Sequence, residues 1–403
     1  MSLFSFKSFS FSLLFSLVFI QSISASLTQD TIYLTWQQNP STTMTVQWIS
    51  SFQEKQSTVI YHQRKENFEW KQVVGETLPF PQTSQYLIHR VELQDLQPNS
   101  EYIFKILPYG DEYRFITAPA QLSNELRFIV GGDMYHDDIK WMAKTCQTAA
   151  QTNPLFAVIG GDIAYAVKSR HLNFQSIEQW IEWVRNWHAT MITPHGNLIP
   201  VISAMGNHDV IGQYNQSPQQ AAVFSALFPM PGNQIYNVLD FNSYLTIFLL
   251  DSGHATPIGG QQTNWLSKNL ETRRDILHRF AVYHVPAYPA IRTFQNKLSF
   301  AIRHYWVPLF EKNGIQAVFE HHDHAYKRTY PLIKSRVQSK GITYIGDGGW
   351  GVEKPRKAYA KRHYIAKLAP VRHFISVTIS PTSQKFQCIT DEGQTIDEFQ
   401  QTL

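Results

Sequence analysis

Cysteine is nearly absent: Cys146 and Cys388 are the only two in 403 residues. A disulfide framework is therefore excluded, and no paired Cys-x-x-Cys offers a zinc ribbon. The two thiols either form one bridge, as an exported protein permits, or lie apart and buried. Charge is also scarce. Charged residues make up 16% of the chain, with a formal net charge of +4 and a pI near 8.8. That balance suits an anionic substrate but is too diffuse for a nucleic-acid surface, so no nucleic-acid partner is expected. The one dense basic run, KPRKAYAKRH from Lys354 to His363, reads as a solvated loop or as a rim that attracts phosphate. The N-terminal apolar stretch, Phe11–Ile20, is interrupted by Ser12 and Ser16 and is too short for a comfortable membrane span. Lys7 is the only charge before it and Ser24-Ala25-Ser26 follow. Residues 1–25 thus read as a secretory signal, with an uncleaved anchor as the alternative. The expected location is secreted or otherwise extracytoplasmic (periplasmic in a Gram-negative cell), with no stable membrane insertion once the signal is removed.

Aromatics, in contrast, reach 14%, enough for a large core, and the length allows two or three domains. Residues 26–119 read as an all-β domain. Apolar runs at Ile32–Trp36, Met44–Trp48, Val59–Tyr61, Tyr86–Leu93, Tyr102–Leu107 and Tyr113–Thr117 are punctuated by Pro, Asn, Ser and Gly, as in a small sandwich. No titratable cluster stands out there, which predicts a scaffold or an active-site rim. From about residue 120 to 403 strands alternate with helical patterns. Helices are expected at Ile139–Ala150, Ile177–Met191, Gln262–Leu270 and Ile302–Phe310, the second with Trp180, Trp183 and Trp187 as core residues on one face. Late strands are expected at Thr343–Ile345, His373–Ile379 and Lys385–Ile389.

Five apolar runs in this second region end in metal-ligating residues. Leu126–Val130 leads to Gly131-Gly132-Asp133. Phe156–Ile159 leads to Gly160-Gly161-Asp162, with Tyr165 three residues on. Pro200–Met205 leads to Gly206-Asn207-His208-Asp209. Phe280–Tyr283 leads to His284-Val285-Pro286, and Ala317–Phe319 to Glu320-His321-His322-Asp323-His324. A carboxylate just past a buried strand is costly unless paired, and a metal ion is one such partner. One such ending is an ordinary turn; five in one chain point to a metal centre.

In order and rough spacing these blocks resemble those of the calcineurin-like metallophosphoesterases, and within them the purple acid phosphatases: Asp; Asp-x-x-Tyr; Gly-Asn-His-Asp/Glu; Val-x-x-His; His-x-His. Only Ala281 departs, standing where the fourth block has Val. The resemblance implies a four-layer α-β-β-α sandwich preceded by a fibronectin type III-like sandwich. The stretch Leu96–Tyr102 itself resembles the turn before a fibronectin type III strand. It implies a binuclear-metal hydrolase of phosphate monoesters, with metal-bound hydroxide attacking phosphorus and a small phosphorylated substrate. A phosphodiesterase or nucleotide pyrophosphatase on the same scaffold is the alternative. The first metal would take Asp133, Asp162, Tyr165 and His324; the second would take Asp162, Asn207, His284 and His322. Two ions roughly 3.5–4 Å apart, sharing one carboxylate, suit in-line displacement at phosphorus.

Tyr165 discriminates between types of centre. Many metallophosphoesterases carry His two residues after the first Asp, where this chain has Tyr135. A phenolate from Tyr165 would fill that gap and favour Fe(III), leaving Zn, Fe or Mn for the other site; His136 is a competing ligand. His208 is expected to contact the substrate phosphate or leaving group, with Asp209 orienting it. His254 ends another apolar strand and is expected near the site, and His171, His188, His195 and His321 are expected to be structural or to support the metal ligands from behind. One departure concerns the leaving group. Plant-type relatives carry adjacent histidines nine and ten residues after the fourth-block His, where this chain has Thr293 and Phe294. Neither donates a proton readily, so His208 is the expected substitute, ahead of His304 and Arg292.

Overall fold

The computed structural model describes residues 27–230, 235–346, 348–358 and 362–403; the secretory-signal reading of 1–25 lies outside them. The first eight strands are β1 (Tyr33–Thr35), β2 (Met44–Ser51), β3 (Thr58–Gln63), β4 (Lys71–Val74), β5 (Glu76–Pro79), β6 (Tyr86–Leu93), β7 (Glu101–Ile106) and β8 (Tyr113–Ile116). They make two four-stranded antiparallel sheets, β1-β2-β6-β5 and β4-β3-β7-β8. Alternation along β7, with Tyr102, Phe104 and Ile106 buried between half-exposed neighbours, is the period-2 pattern of a sheet with one wet face. The Tyr102 hydroxyl accepts the Gln97 amide at 2.8 Å, tying strand start to preceding turn as in a tyrosine corner. β4 and β5 carry mostly exposed side chains, so no hydrophobic pattern announced them.

The rest of the chain builds two mixed sheets. One runs β11-β10-β9-β21-β22-β23, where β9 is Leu126–Gly131, β10 Ala157–Gly160, β11 Val201–Ala204, β21 His373–Ile379, β22 Ser383–Thr390 and β23 Thr395–Thr402. The other runs β12-β13-β14-β15-β19-β16-β20, with β12 Asn237–Phe241, β13 Leu245–Leu249, β14 His278–Tyr283, β15 Ala317–Glu320, β16 Tyr326–Thr329, β19 Thr343–Gly346 and β20 Ile365–Ala369; a two-stranded ribbon, β17 (Leu332–Ile333) with β18 (Arg336–Val337), lies apart. β9, β10 and β11 are parallel, as are β13, β14, β15 and β19. Period-2 alternation sorts the two faces of the second sheet. Phe280, Val282 and Phe319 join the core shared with the first sheet, whereas Ala281, Tyr283 and Val318 pack with apolar residues of helices. Phe280 and Phe319 meet Phe386 of β22 at ring distances of 6.1 and 6.2 Å.

Helices α1 (Ile139–Gln151) and α2 (Ile177–Thr190) start at capping side chains, Asp138 and Ser176, each satisfying an amide that the first turn leaves unpaired. Trp180, Trp183 and Trp187 are buried on α2 as expected. Helix α3 is short (Ala222–Leu227) and α4 spans Gln261–Glu271. The single helix expected at Ile302–Phe310 is instead two, α5 (Lys297–Tyr305) and α6 (Val307–Asn313). Pro308 explains the break: it has no amide proton to return to the preceding turn and is accommodated only where a helix starts. The N-terminal sheets dock on the second region through Tyr33 and Gln47 to the Leu227 carbonyl, both 2.8 Å, and Arg90 to the Ala226 carbonyl, 2.7 Å. None of these is a predicted site residue. Cys146 and Cys388 are both buried and are not joined by a disulfide, which settles the alternative left open above.

Candidate metal centre

Every predicted donor lies just beyond the C-terminal end of a parallel strand. Asp133 follows β9, Asp162 and Tyr165 follow β10, and Asn207 opens a 3-10 turn after β11. His284 follows β14, and His322 and His324 follow β15. Oxygen donors thus come from one sheet and imidazoles from the other. Leaving a strand this abruptly strains the backbone. Asp133, Asp162, Tyr165, His322 and His324 have φ of 57°, 53°, 50°, 69° and 57°, a left-handed conformation that costs an L-residue about 1–2 kcal/mol. Such strain clusters at sites where surrounding structure enforces it. Glycine allows the close approach: a Cβ on Gly160 would meet His321 Nε2 at 1.7 Å, and one on Gly206 would meet Asp162 Oδ1 at 2.3 Å.

The donors form two groups. In one, the Tyr165 hydroxyl lies 2.8 Å from Asp133 Oδ1 and 3.0 Å from His324 Nε2, itself 2.9 Å from Asp133 Oδ1. In the other, His284 Nε2 lies 3.1 Å from Asp162 Oδ2 and 3.0 Å from His322 Nδ1, and one donor atom from each of the three falls within 4.8 Å of the others. The groups are linked, since Asp133 Oδ2 accepts the His322 amide at 2.9 Å and the Met134 amide reaches the Asp162 carbonyl at 2.9 Å. His284 Nδ1 faces the Gly160 carbonyl at 2.9 Å. A carbonyl only accepts, so Nδ1 carries the proton and Nε2 is left as a ligand.

This donor set fits metal ions. Asp162 Oδ2 and Asn207 Oδ1 are buried without a hydrogen-bond donor; the 3.1 Å approach of His284 to Asp162 lacks hydrogen-bond alignment. A buried oxygen left so costs about 1–3 kcal/mol, and a cation offsets that cost. Carboxylate, phenol, amide oxygen and imidazole together suit hard and borderline cations. Electrostatics agree. Burial opposes ionisation of Asp162 and Asp133, yet the neighbouring imidazoles hold both carboxyls below the usual range. Burial likewise works against His284, but without a cation the Asp162 and Asp133 carboxylates push it up to about 9, so a metal bound at Nε2 would displace a proton there. Burial drives His322 far down, helped by the Arg292 charge. Burial and the Asp133 charge raise the Tyr165 phenol, so a phenolate there needs a cation beside it.

The structure revises several readings. Asp209 does not orient the His208 ring. Its carboxylate accepts the amides of Asp162, Ile163 and Gly206 at 2.8, 2.9 and 2.8 Å, clamping the β10 and β11 exits together. The His208 ring is held instead by the Val167 carbonyl, 2.5 Å from Nδ1, and stacks on Tyr165 with ring centres 4.3 Å apart. His136 packs edge-on against Tyr165 and His324 while its Nδ1 meets Asp137 at 2.6 Å. Tyr135 turns away to Glu182. His254 is a buried wall, its nitrogens at the Gln213 carbonyl and Ser252 Oγ and its ring 5.6 Å from His284. His304 lies exposed on α5, stacked on Phe300 and edge-on to Tyr305. His188 bonds the Ile32 carbonyl at 2.9 Å.

Sequence reasoning missed three supports. Asp323, the middle residue of the His-x-His block, accepts the amides of Ala290, Ile291 and Arg292. Glu320 accepts the Tyr283 hydroxyl and the Ala287 amide at 2.8 and 2.7 Å and pairs with fully buried Lys327 at 2.5 Å. Its signal was available: a carboxylate closing an apolar strand. Tyr214, with its hydroxyl 3.5 Å from His322 Nε2, carried none.

Comparison with known proteins now decides the family. The purple acid phosphatase N-terminal domain matches residues 29–123, and the calcineurin-like phosphoesterase domain matches 126–326. The chain is a purple acid phosphatase-like member of the calcineurin-like metallophosphoesterases. Purple acid phosphatases 21 and 18 of Arabidopsis thaliana are each 25% identical over 274 and 277 residues, covering 65% of this chain. The chain spans only 58% of either relative's length. A purple acid phosphatase from yellow lupin (Lupinus luteus) seeds superposes with a TM-score of 0.73 at 16% identity, over 92% of this chain and 73% of that one; at that identity the likeness is one of fold. Membership of this family implies a dinuclear metal centre. Among the described residues no helix is long and apolar enough to cross a membrane.

Proposed function

We propose that this chain hydrolyses phosphate monoesters at a binuclear metal centre. The observation that carries the reading is the pair of donor groups, Asp133–Tyr165–His324 and Asp162–His284–His322, built from two sheets and joined through buried contacts. Metal ions held there would activate water and neutralise charge on the phosphate oxygens. Fe(III) suits the Tyr165 group, because phenolate is a hard anion, and a divalent ion (Zn, Fe or Mn) suits the other, with Asp162 bridging and Asn207 completing it. Asp209 fixes the geometry of both strand exits through its three amides. His208, half-buried and held through Nδ1, keeps Nε2 for the substrate phosphate or leaving group. Residues 26–119 then form a scaffold domain and 120–403 the catalytic one, with residues 1–25 directing export.

The test is metal analysis and a visible spectrum of the purified protein, followed by rates on an aryl phosphate and the matching bis-aryl ester. Two metal equivalents, a phenolate-to-iron band and faster monoester turnover are expected. Faster diester turnover would favour the phosphodiesterase alternative, and absence of turnover with both metals bound would overturn the enzymatic reading.

A further inference from the structure

Glu320 and Lys327 are shut away from solvent together, and their charges meet at 2.5 Å. Taking two charges out of water opposes folding, and an apolar pair of similar volume is often as stable or more so. Stability therefore does not account for the pair. Its contacts do something that apolar side chains cannot. Glu320 Oε1 accepts the Tyr283 hydroxyl at 2.8 Å and the Ala287 amide at 2.7 Å. Those residues stand one before and three after His284. Glu320 Oε2 accepts from Lys327 Nζ, which also donates to the Tyr288 carbonyl. Glu320 itself closes β15, two residues before His322. The network thus grips the chain on both sides of His284 from the strand that delivers His322. The backbone continues the link, since the His321 amide donates to the His284 carbonyl at 2.9 Å. Room for the lysine is built in. Lys327 of β16 pairs with Gly346 of β19, which pairs in turn with Glu320. A Cβ on Gly346 would meet Lys327 Cε at 2.6 Å, so the lysine stem crosses β19 where that strand has no side chain. Tyr283, Ala287 and Tyr288 belong to the apolar core on the helix side of the sheet, and in such surroundings a polar network is stronger than in water.

We propose that Glu320 and Lys327 are positioning residues for the metal site that His284 and His322 serve, setting the spacing of the two imidazoles from the far side of their strands. This rests on the binuclear reading above and adds to it two residues that no ligand assignment includes. His284 Nε2 and His322 Nδ1 stand 3.0 Å apart. One ion takes both only while they converge, and a ligand site tolerates displacement of about 0.5 Å. Packing is non-directional and would let the two strand exits slide past each other. Hydrogen bonds are directional. A carboxylate held by two donors from the segment around His284 and by an ammonium from a third strand fixes the exits relative to each other.

Cobalt(II) titration of the metal-free full chain, followed by visible absorption, tests this without turnover. The main variant is the double substitution Glu320→Gln with Lys327→Met. It keeps an acceptor for Tyr283 and Ala287 and leaves no buried charge unpaired, so its denaturant midpoint without metal should match wild type. One cobalt equivalent, the one that His322→Ala also loses, should bind about 10–100-fold more weakly, and its absorption bands at saturation should shift. The other equivalent should bind as in wild type. Glu320→Asp keeps both charges and shortens the reach by one methylene. It should weaken and shift the same equivalent, and it supplies the comparison if the double variant fails to fold. Unchanged bands at saturating cobalt overturn the proposal, whatever the variant's stability or affinity, because a pair that served the fold alone would leave the ligand geometry as it was. Failure of the binuclear reading would appear separately, as fewer than two equivalents bound by the wild type; the bands of the remaining His284–His322 site would still decide the role of the pair.

Discussion

His89 in the N-terminal sandwich and His322 at the β15 exit are both shut away from solvent, yet their nitrogens are used differently. His89 has a hydroxyl at each nitrogen, Ser50 Oγ at 2.6 Å and Ser57 Oγ at 2.8 Å, and its ring lies flat on Trp48 at 4.8 Å. Its backbone belongs to the regular ladder of β6. His322 points Nδ1 at another imidazole nitrogen 3.0 Å away and sits at φ 69°. Burial alone therefore does not distinguish a packing histidine from a ligand. Satisfied nitrogens on relaxed backbone mark the first, and nitrogens converging on one point from strained backbone mark the second.

The largest effect should come from Asp162, the carboxylate proposed to be shared. Asp162→Ala is expected to empty both metal sites and lower turnover by more than about 100-fold, beyond what loss of an outer partner costs; Asn207→Ala should spare most of one equivalent. Elemental analysis reads both, and two retained equivalents in the Asp162 variant would refute its bridging role.

Exchanging the fates of the two histidines comes next. His89→Ala removes a ring and orphans two hydroxyls, and should lower unfolding free energy by about 2–4 kcal/mol with metal content unchanged. His322→Ala should lose one metal equivalent while the metal-free protein unfolds within about 1 kcal/mol of wild type, because His322 spends little on packing. Denaturant titration with metal analysis separates them; the same loss from both variants would erase the contrast.

Tyr165→Phe should remove any visible charge-transfer band and leave the fold intact, since a phenyl ring keeps the stacking on His208 but has no oxygen. Fe(III)-loaded wild-type protein without such a band would exclude Tyr165 as a ligand.

The smallest effect concerns pH. Burial pulls His89 down to about 4, and likewise His278. A depressed folded pKa means the unfolded chain takes up protons first as pH falls. The stability is thus complete above about 6.5 and lost progressively down to about 4. Each group accounts for a loss of roughly 3 kcal/mol across that window. His89→Gln should flatten the acid limb of the metal-free stability profile by about that amount, and an unchanged slope would show that His89 titrates normally in the fold.

Much of the fold was legible because its signals are local. Buried strands with apolar runs, capped helices and the three tryptophans of α2 follow from periodicity, and the strand-end donors from residue type and order. What was missed lacks a local signal. β4, β5 and β23 have mostly half-exposed or exposed faces, and only pairing with β3, β6 and β22 makes them strands. The helix broken at Pro308 shows the converse, a strong local cue outweighed by an apolar pattern running through it.

The sequence by itself determined which side chains stand at the strand ends, because apolar runs stop there, with glycine before Asp133, Asp162 and Asn207, and donors able to hold a metal follow. Only the tertiary structure decided which donors share a point. That depends on two sheets meeting face to face, so that oxygens from β9, β10 and β11 confront imidazoles from β14 and β15. It also decided that Asp209 serves three amides rather than His208, and that Asp323 serves three more. Most of these contacts span 31 positions or more in sequence and are set by packing, which no local pattern encodes.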